Sequence, residues 1–234
     1  GLHGVGASVV NALAARLDVE VDRDGSTHAI SFRRGTAGEF AGAGATAAFT
    51  PKSGLRKIKR VAKRTTGTRV RYWPDPQIFI KEAAFSLPDL HARARQTAFL
   101  VPGLSIAVID ERGAERTEQV FVYKGGISEF CEFLATDRPV TDTLRLTGTG
   151  QFTETVPVLD AKDQLTPAEV ERELTVDVAL RWGTGYDTTV KSFVNIIATP
   201  KGGTHLAGFE RALVRTFTDA LRSARLLRQN EDAI

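Results

Sequence analysis

The 234-residue sequence contains no methionine, one cysteine and four histidines. The single cysteine, Cys131, excludes a disulfide within the chain and a zinc site built from several of its cysteines. Because Cys131 lies among Phe130, Phe133 and Leu134, we expect a buried, unreactive thiol. No apolar run approaches the roughly 20 residues of a membrane-spanning helix, and the first residues do not have the pattern of a signal peptide. We therefore expect no membrane partner.

The rest of the composition is that of a soluble globular protein. Apolar residues make up 42% and charged residues 25% of the chain, which are ordinary values. The length allows one large domain or two small ones. The absence of methionine, together with glycine at position 1, predicts that the chain is part of a longer protein.

The net charge of +3 is small but unevenly distributed. Residues 52–71 form a basic segment without acidic residues, whose cations are Lys52, Arg56, Lys57, Lys59, Arg60, Lys63, Arg64, Arg69 and Arg71. Such a segment is either a solvated surface loop or a surface for a nucleic acid backbone, since phosphate contacts require only clustered lysine and arginine. On the second interpretation, the DNA-contacting residues would be Arg56, Lys57, Lys59, Arg60, Lys63 and Arg64.

The first seventeen residues combine a glycine-rich stretch with a helical pattern. Val5, Val9, Leu13 and Leu17 recur at helical spacing, directly after the glycines of GLHGVG. This order predicts a loop that points unpaired backbone amides and the positive end of a helix dipole at a polyphosphate. The alternative is a tight glycine turn that allows a helix to pack closely. Neither a Walker loop nor a Rossmann fingerprint is present.

The first half of the chain reads as a mixture of strands and one capped helix. Alternating residues around Asp24-Gly25 predict a β-hairpin, whereas 35–48 reads as a long surface loop. Residues 68–73 form the next predicted strand, with Thr68 and Arg69 on opposite faces. Ser86 is the predicted N-cap of a helix over 87–100, with Asp89 as its reciprocal partner.

The second half alternates strands and helices. We predict strands over 104–110 and 118–123, a helix after Gly125-Gly126, a short helix near Thr166, and a strand over 174–182 with one face in the core. A further β run covers 189–199. A last amphipathic helix follows Gly202-Gly203-Thr204, and His205 at its start is expected to have a capping or packing role rather than to bind a metal.

Five ordered motifs carry a family resemblance. They are GLHGVGASVVNAL at residues 1–13, GTRVRYWPD at 67–75, TAFLVPGL at 97–104, YKGGI at 123–127 and GGTHLAGF at 202–209. Together they resemble the ATP-hydrolysing subunit of the DNA gyrase and topoisomerase IV family, most closely its actinobacterial topoisomerase IV branch. One position departs from the family pattern, because Lys201 stands where the family usually has glutamate.

This resemblance implies an α+β fold with two parts. Residues 1–123 would be the C-terminal part of a GHKL-type ATPase α/β sandwich. Residues 124–234 would be a transducer domain, incomplete at its C-terminus, that resembles domain two of ribosomal small-subunit protein five.

The resemblance also assigns the nucleotide contacts. The amides of Leu2, His3, Gly4, Val5 and Gly6 would surround the triphosphate, and Thr68 would contact adenine through water. No catalytic or metal-binding residue is expected in this chain, because the family's general-base glutamate, magnesium-binding asparagine and adenine-reading aspartate precede the glycine loop. The family's transducer lysine would follow residue 234. We therefore expect the chain alone neither to hydrolyse ATP nor to bind it tightly.

For the whole protein, the resemblance implies ATP and Mg²⁺ as cofactors and DNA as a partner. It also implies a partner topoisomerase subunit that cleaves DNA, dimerisation of the ATPase region and a cytoplasmic, nucleoid-associated location. Supercoiling and decatenation are not distinguished. The alternatives are a non-enzymatic basic module that binds nucleic acid, and a chaperone or mismatch-repair relative with the same type of glycine loop; the motifs at 67–75 and 202–209 favour the topoisomerase branch.

Overall fold

The computed structural model describes residues 5–159 and 164–228. The chain forms two compact units, Gly1–Phe85 and Ser86–Ile234. Both combine helices with antiparallel strands, which confirms the α+β class. The predicted division of function at 123/124 remains a prediction.

The first unit is built on one six-stranded antiparallel sheet. Its strands follow the order β4-β3-β2-β1-β6, and β5 pairs with β2. The elements are α1 Gly6–Ala12, β1 Ala14–Arg23, β2 Ser26–Arg33, β3 Thr36–Phe40, β4 Phe49–Pro51, β5 Arg56–Arg60 and β6 Gly67–Pro74.

The hairpin predicted around Asp24-Gly25 is confirmed. Strands β1 and β2 pair from Leu17↔Phe32 to Arg23↔Ser26. Asp24 has φ 51° and Gly25 φ 77°, so both central residues are left-handed, as a two-residue type I′ turn requires.

The first helix is shorter than predicted. Helix α1 ends at Ala12, and Leu17 lies in β1 rather than on a helical face. The four-residue spacing of the valines and leucines fits a helix locally, but β1 forms ladders with β2 and β6 on its two sides. Pairing on both edges outweighs the local periodicity.

The loop predicted over 35–48 is wrong in its first part, where β3 extends the sheet. Gly38 explains why this glycine-rich stretch pairs so closely with β4. A Cβ atom at Gly38 would lie 2.3 Å from the ring of Phe49, so only glycine fits. Phe40 and Phe49 then pack with their ring centroids 4.8 Å apart.

The second unit contains three helices and three antiparallel ribbons among its described residues. The elements are α2 Leu87–Leu100, β7 Ile106–Asp110, β8 Thr117–Phe121, α3 Ile127–Leu134, β9 Leu144–Leu159, β10 Leu165–Leu180, β11 Phe193–Val194, β12 Ile197–Ala198 and α4 Thr204–Ser223. Among the described helices, none combines the length and apolar composition needed to cross a membrane.

Helix α2 has the predicted bounds and the predicted N-cap at Ser86, but no reciprocal hydrogen bond to the Asp89 carboxylate occurs among the described residues. The Asp89 amide donates a 3.4 Å hydrogen bond to Ser86 Oγ, which satisfies one of the helix's unpaired N-terminal amides. Helix α2 buries Phe99, which stacks on Tyr123 with centroids 3.6 Å apart and on Phe130 at 4.8 Å. Cys131 next to this cluster is half-buried, and burial raises the pKa of its thiol, which favours the unreactive protonated form.

The region after residue 140 differs from the sequence prediction in three places. The short helix expected near Thr166 is wrong, because β10 begins at Leu165 and pairs with β9 along its whole length. Leu174 and Val176 are 43% and 49% exposed, so the face predicted to lie in the core does not. The β run over 189–199 is reduced to the two short strands β11 and β12.

A buried carboxylate joins three parts of the first unit. Asp75, 1% exposed, accepts hydrogen bonds from both Nε and Nη2 of Arg34 and from the Gln77 amide at 2.9 Å. Its own amide donates to Leu13 O at 3.1 Å, at the end of α1, and the Arg34 amide donates to Ala14 O at 3.1 Å. Asp75 and Arg34 therefore hold the α1 exit, the β2-β3 turn and the end of β6 together.

We predict that Asp75→Asn lowers the melting temperature by roughly 5–10 °C at neutral pH, because it removes the charge of a buried carboxylate that accepts hydrogen bonds from Arg34 and the Gln77 amide. Hydrogen bonds hold the pKa of the Asp75 carboxyl below its ordinary value of 3.8; the largest effect comes from the Arg34 guanidinium and the next largest from the Gln77 amide. Since the folded-state pKa is depressed, this stabilisation is complete above about pH 4 and is lost as the pH falls further. Thermal denaturation between pH 2 and pH 7 measures both effects.

The control is Asp24→Asn, which removes an exposed carboxylate 3.5 Å from Arg23 Nε. Exposed pairs of this kind contribute little, so we expect the control to melt within about 1 °C of the parent. An Asp75→Asn protein that melts with the parent at every pH would contradict the role given to Asp75.

Candidate functional site

The described part of the predicted phosphate loop is the entry to α1. Leu2, His3 and Gly4 lie outside the described residues. Val5 is exposed and precedes the first helical residue, Gly6, and no side-chain hydrogen bond caps this end of α1. The first amides of a helix have no partner within the helix, so the amides here have the chemistry that binds an anion.

Gly6 has open space where its side chain would be. A Cβ atom built at this position has no heavy atom of the described residues within 4 Å. Glycine at position 6 is therefore not required by packing against the described chain. The open space leaves room for a ligand at Gly6, although other glycines, among them Gly148, have the same open space.

Thr68 lies on β6, opposite Val21 of β1. Its side chain is exposed, and its hydroxyl forms no hydrogen bond with the described residues. The hydroxyl is thus available to a ligand or to water. Val5, Gly6 and Thr68 all belong to the first unit and lie on elements that border β1, but no hydrogen bond joins Thr68 to Val5 or Gly6.

Arg69, next to Thr68, is tied to the sheet. Its Nη1 lies 2.9 Å from Asp22 Oδ2, and its Nε lies 2.9 Å from Glu20 Oε2. Thr27 Oγ1 also donates to Asp22. Hydrogen bonds from Arg69 and then from Thr27 hold the pKa of the buried Asp22 carboxyl below its ordinary value. Arg69 therefore compensates the negative charges of Glu20 and Asp22 on β1, which gives it a structural role.

Two further cations of the basic segment share one carboxylate of the chain. Lys52 Nζ lies 2.9 Å from Glu39 Oε1, and Arg56 Nε lies 3.6 Å from the same atom. The Lys52 hydrogen bond is the main reason that the pKa of Glu39 is lowered. Arg71 stacks over the Trp73 ring at 4.6 Å. Arg56, one of the predicted DNA-contacting residues, is thus engaged within the sheet.

Sequence reasoning could not identify these acidic partners. Glu20, Asp22 and Glu39 lie on β1 and β3, far in sequence from the cations that they pair with. The sequence shows that valines and acidic residues alternate in β1, but it does not show the strand order that places β6 beside β1. Asp75 and Arg34 were missed for the same reason, since 41 positions separate them.

No metal centre occurs in the described ranges 5–159 and 164–228, where no three His, Cys, Asp or Glu side chains are grouped to hold an ion. His205 lies in the first turn of α4, and its Nε2 is 3.3 Å from Thr199 Oγ1. This contact agrees with the packing role expected from the sequence.

Comparison with known proteins identifies related chains over almost the whole length. DNA gyrase B of Streptococcus pyogenes serotype M1 is 36% identical over 237 residues, and that of Streptococcus pneumoniae serotype 4 is 37% identical over 234. Each match covers 99% of this chain and 30% of the relative. The chain therefore spans about three-tenths of the length of these curated relatives.

Two further comparisons agree. The sequence profile of the DNA gyrase B family matches residues 126–234. The 43K ATPase domain of Thermus thermophilus gyrase B, solved in complex with an aminocoumarin, superimposes with a TM-score of 0.68 at 30% identity, covering 98% of this chain and 53% of that one. The fold, the ordered motifs and these matches lead to one conclusion: residues 126–234 match the DNA gyrase B family, and almost the whole chain is similar to a part of DNA gyrase B proteins.

Proposed function

We propose that the chain is part of the ATP-hydrolysing subunit of a type IIA DNA topoisomerase, an isomerase that uses ATP to pass one duplex through another. The observation that carries this proposal is similarity along 99% of the chain to DNA gyrase B proteins, combined with structural similarity to a gyrase B ATPase domain. The predicted closeness to actinobacterial topoisomerase IV remains a prediction. Supercoiling and decatenation are both open to the whole protein.

The proposed role of the first unit is to hold the nucleotide. The amides of Val5 and Gly6, continuing from Leu2, His3 and Gly4, donate to the triphosphate, and the Thr68 hydroxyl contacts the adenine end through water. The uncapped start of α1, the open space at Gly6 and the unpartnered Thr68 hydroxyl fit such a ligand. ATP supplies the phosphoanhydride that is cleaved, and this chain's residues bind and orient it.

We also propose that the two parts of the chain have different roles. Residues 1–123 belong to the ATPase domain, and residues 124–234 form a transducer that passes the nucleotide state to the DNA gate. The start of the family profile at residue 126 supports a boundary there. The whole protein uses Mg²⁺, dimerises through its ATPase region, binds DNA together with the DNA-cleaving subunit and works in the cytoplasm at the nucleoid.

We predict that the 234-residue chain alone shows no ATP turnover above background. The general base and the magnesium ligand of the proposed mechanism are expected on segments that precede residue 1. A coupled phosphate-release assay with ATP and Mg²⁺ measures this. Steady turnover by the purified chain would show that the catalytic groups were assigned to the wrong segments.

We predict that Gly6→Ala weakens ATP binding by the chain without lowering its melting temperature. The affinity of the parent chain is expected to be weak, with a Kd of roughly 1 mM, measured from the amide resonances of Val5 and Gly6 during an ATP titration. Since no described atom lies near the Cβ position, alanine is compatible with the fold, and it favours the helix slightly. A methyl group that faces the phosphates should weaken binding at least tenfold.

The matched control is Gly148→Ala in β9, another glycine with nothing within 4 Å of its Cβ position. It should change neither the melting temperature nor the titration. Equal ATP affinity of Gly6→Ala and the parent would argue against a phosphate loop at α1. Salt-dependent DNA binding that ignores Gly6 would then favour the non-enzymatic module.

A further inference from the structure

Six cations of the basic segment have no ion-pair partner among the described residues, and one of them, Arg71, stacks over the Trp73 ring. We call the other five the β5 strip; they are Lys57, Lys59, Arg60, Lys63 and Arg64, all of them exposed. No carboxylate of residues 5–159 or 164–228 lies within 4.0 Å of their charged atoms. Lys59 makes only a minor, longer-range contribution to lowering the pKa of Asp22, whose hydrogen bonds come from Arg69 and Thr27.

The β5 strip differs from the rest of the segment in this respect. Lys52 and Arg56 are paired with Glu39, and Arg69 with Asp22 and Glu20. The structure thus divides nine cations that look alike in the sequence into those that stabilise the sheet and those that face solvent.

Strand β5 presents its cations along an open edge. It pairs with β2 on one side, and no strand among the described residues pairs with its other side. A register shift between Thr27 and His28 places Lys59 opposite Thr27 and Lys57 opposite His28. Since successive residues of β2 face opposite sides of the sheet, the two lysines lie on opposite faces, and positive charge borders the edge on both sides.

The turn after β5 is fixed against the hairpin. The Val61 amide donates to Gly25 O at 3.1 Å, and the Thr65 amide donates to Ala62 O at 2.8 Å across Lys63 and Arg64. The backbone that carries Lys63 and Arg64 is therefore held in place. Cations on a fixed backbone lose less conformational entropy on binding than cations on a free loop.

Edge strands often carry a lysine that prevents pairing with another chain. That role does not require five cations without counter-charges, which repel one another in the free protein. A polyanion with closely spaced charges removes this repulsion. Duplex DNA carries about one negative charge per 1.7 Å of its axis, and four residues of β5 span about 13 Å, so several phosphates lie within reach of the strip.

We propose that the β5 strip binds the phosphate backbone of duplex DNA, a partner surface that nothing in the comparisons assigns. The choice of DNA among polyanions rests on the proposed function. The contacts are to phosphates and carry no sequence preference.

The test measures binding of the chain, without nucleotide, to a fluorescently labelled 20-base-pair duplex by anisotropy between 50 and 200 mM salt. Five phosphate contacts predict a slope of log K against log salt of about −4 to −5. The strip variant, Lys57→Gln, Lys59→Gln, Arg60→Gln, Lys63→Gln and Arg64→Gln together, should bind at least tenfold more weakly and lose most of this slope.

The control variant removes the same charge from other exposed positions of the chain. It carries Lys81→Gln, Lys124→Gln, Lys191→Gln, Lys201→Gln and Arg211→Gln. Both variants change the net charge from +3 to −2, so a non-specific charge effect would weaken them equally. We expect the control to lose less than threefold in affinity.

Acetylation footprinting of the unmodified chain gives a readout that does not depend on the folding of a variant. The duplex should protect Lys57, Lys59 and Lys63 from acetylation and leave Lys81 and Lys124 reactive. Equal losses in both variants, full affinity of the strip variant, or absence of protection would overturn the proposal, as would tighter binding to phosphatidylserine vesicles than to the duplex. Because no nucleotide is present, these outcomes are independent of the Gly6→Ala titration that tests the proposed function.

Discussion

The ion pair between the buried Asp75 carboxylate and the half-exposed Arg34 guanidinium is the contact on which the first unit depends. A carboxylate that is removed from water is stable only with a charged partner and with its other oxygen positions satisfied, and Arg34 and the Gln77 amide meet this need. The same two residues bond through their amides to Leu13 and Ala14. Arg34 and Asp75 therefore fix the end of β6, the β2-β3 turn and the end of α1 relative to one another. The proposed nucleotide site is formed by α1 and β6, so its geometry depends on these two residues.

Turn and cap residues correctly predicted the elements that depend on contacts between residues close in sequence. The hairpin at Asp24-Gly25 and the capped helix Leu87–Leu100 follow from turn and cap residues. The errors occurred where a distant strand decides the outcome. Leu17 continues a helical spacing yet pairs with Phe32 and Tyr72, and Pro167 follows a helix-start signal yet lies opposite Pro157.

The pairing of charges likewise depends on residues that are distant in sequence. Sequence alone shows nine cations in one segment, but only the strand order reveals that Glu20, Asp22 and Glu39 neutralise part of them. The chain separates two uses of positive charge within twenty residues. Arg69 links β6 to β1, and Lys52 and Arg56 contact Glu39 of β3. The five cations of the β5 strip remain exposed, where a polyanion can reach them.

In the proposed site, the entry to α1 holds the phosphates of ATP and β6 contacts its adenine end. A crystal structure of the proposed topoisomerase subunit, bound to a non-hydrolysable ATP analogue, tests this most directly. The account predicts phosphate oxygens within about 3 Å of the Val5 and Gly6 amides and adenine linked to the Thr68 hydroxyl through water. An analogue bound elsewhere, with these amides satisfied by protein groups, would contradict the account.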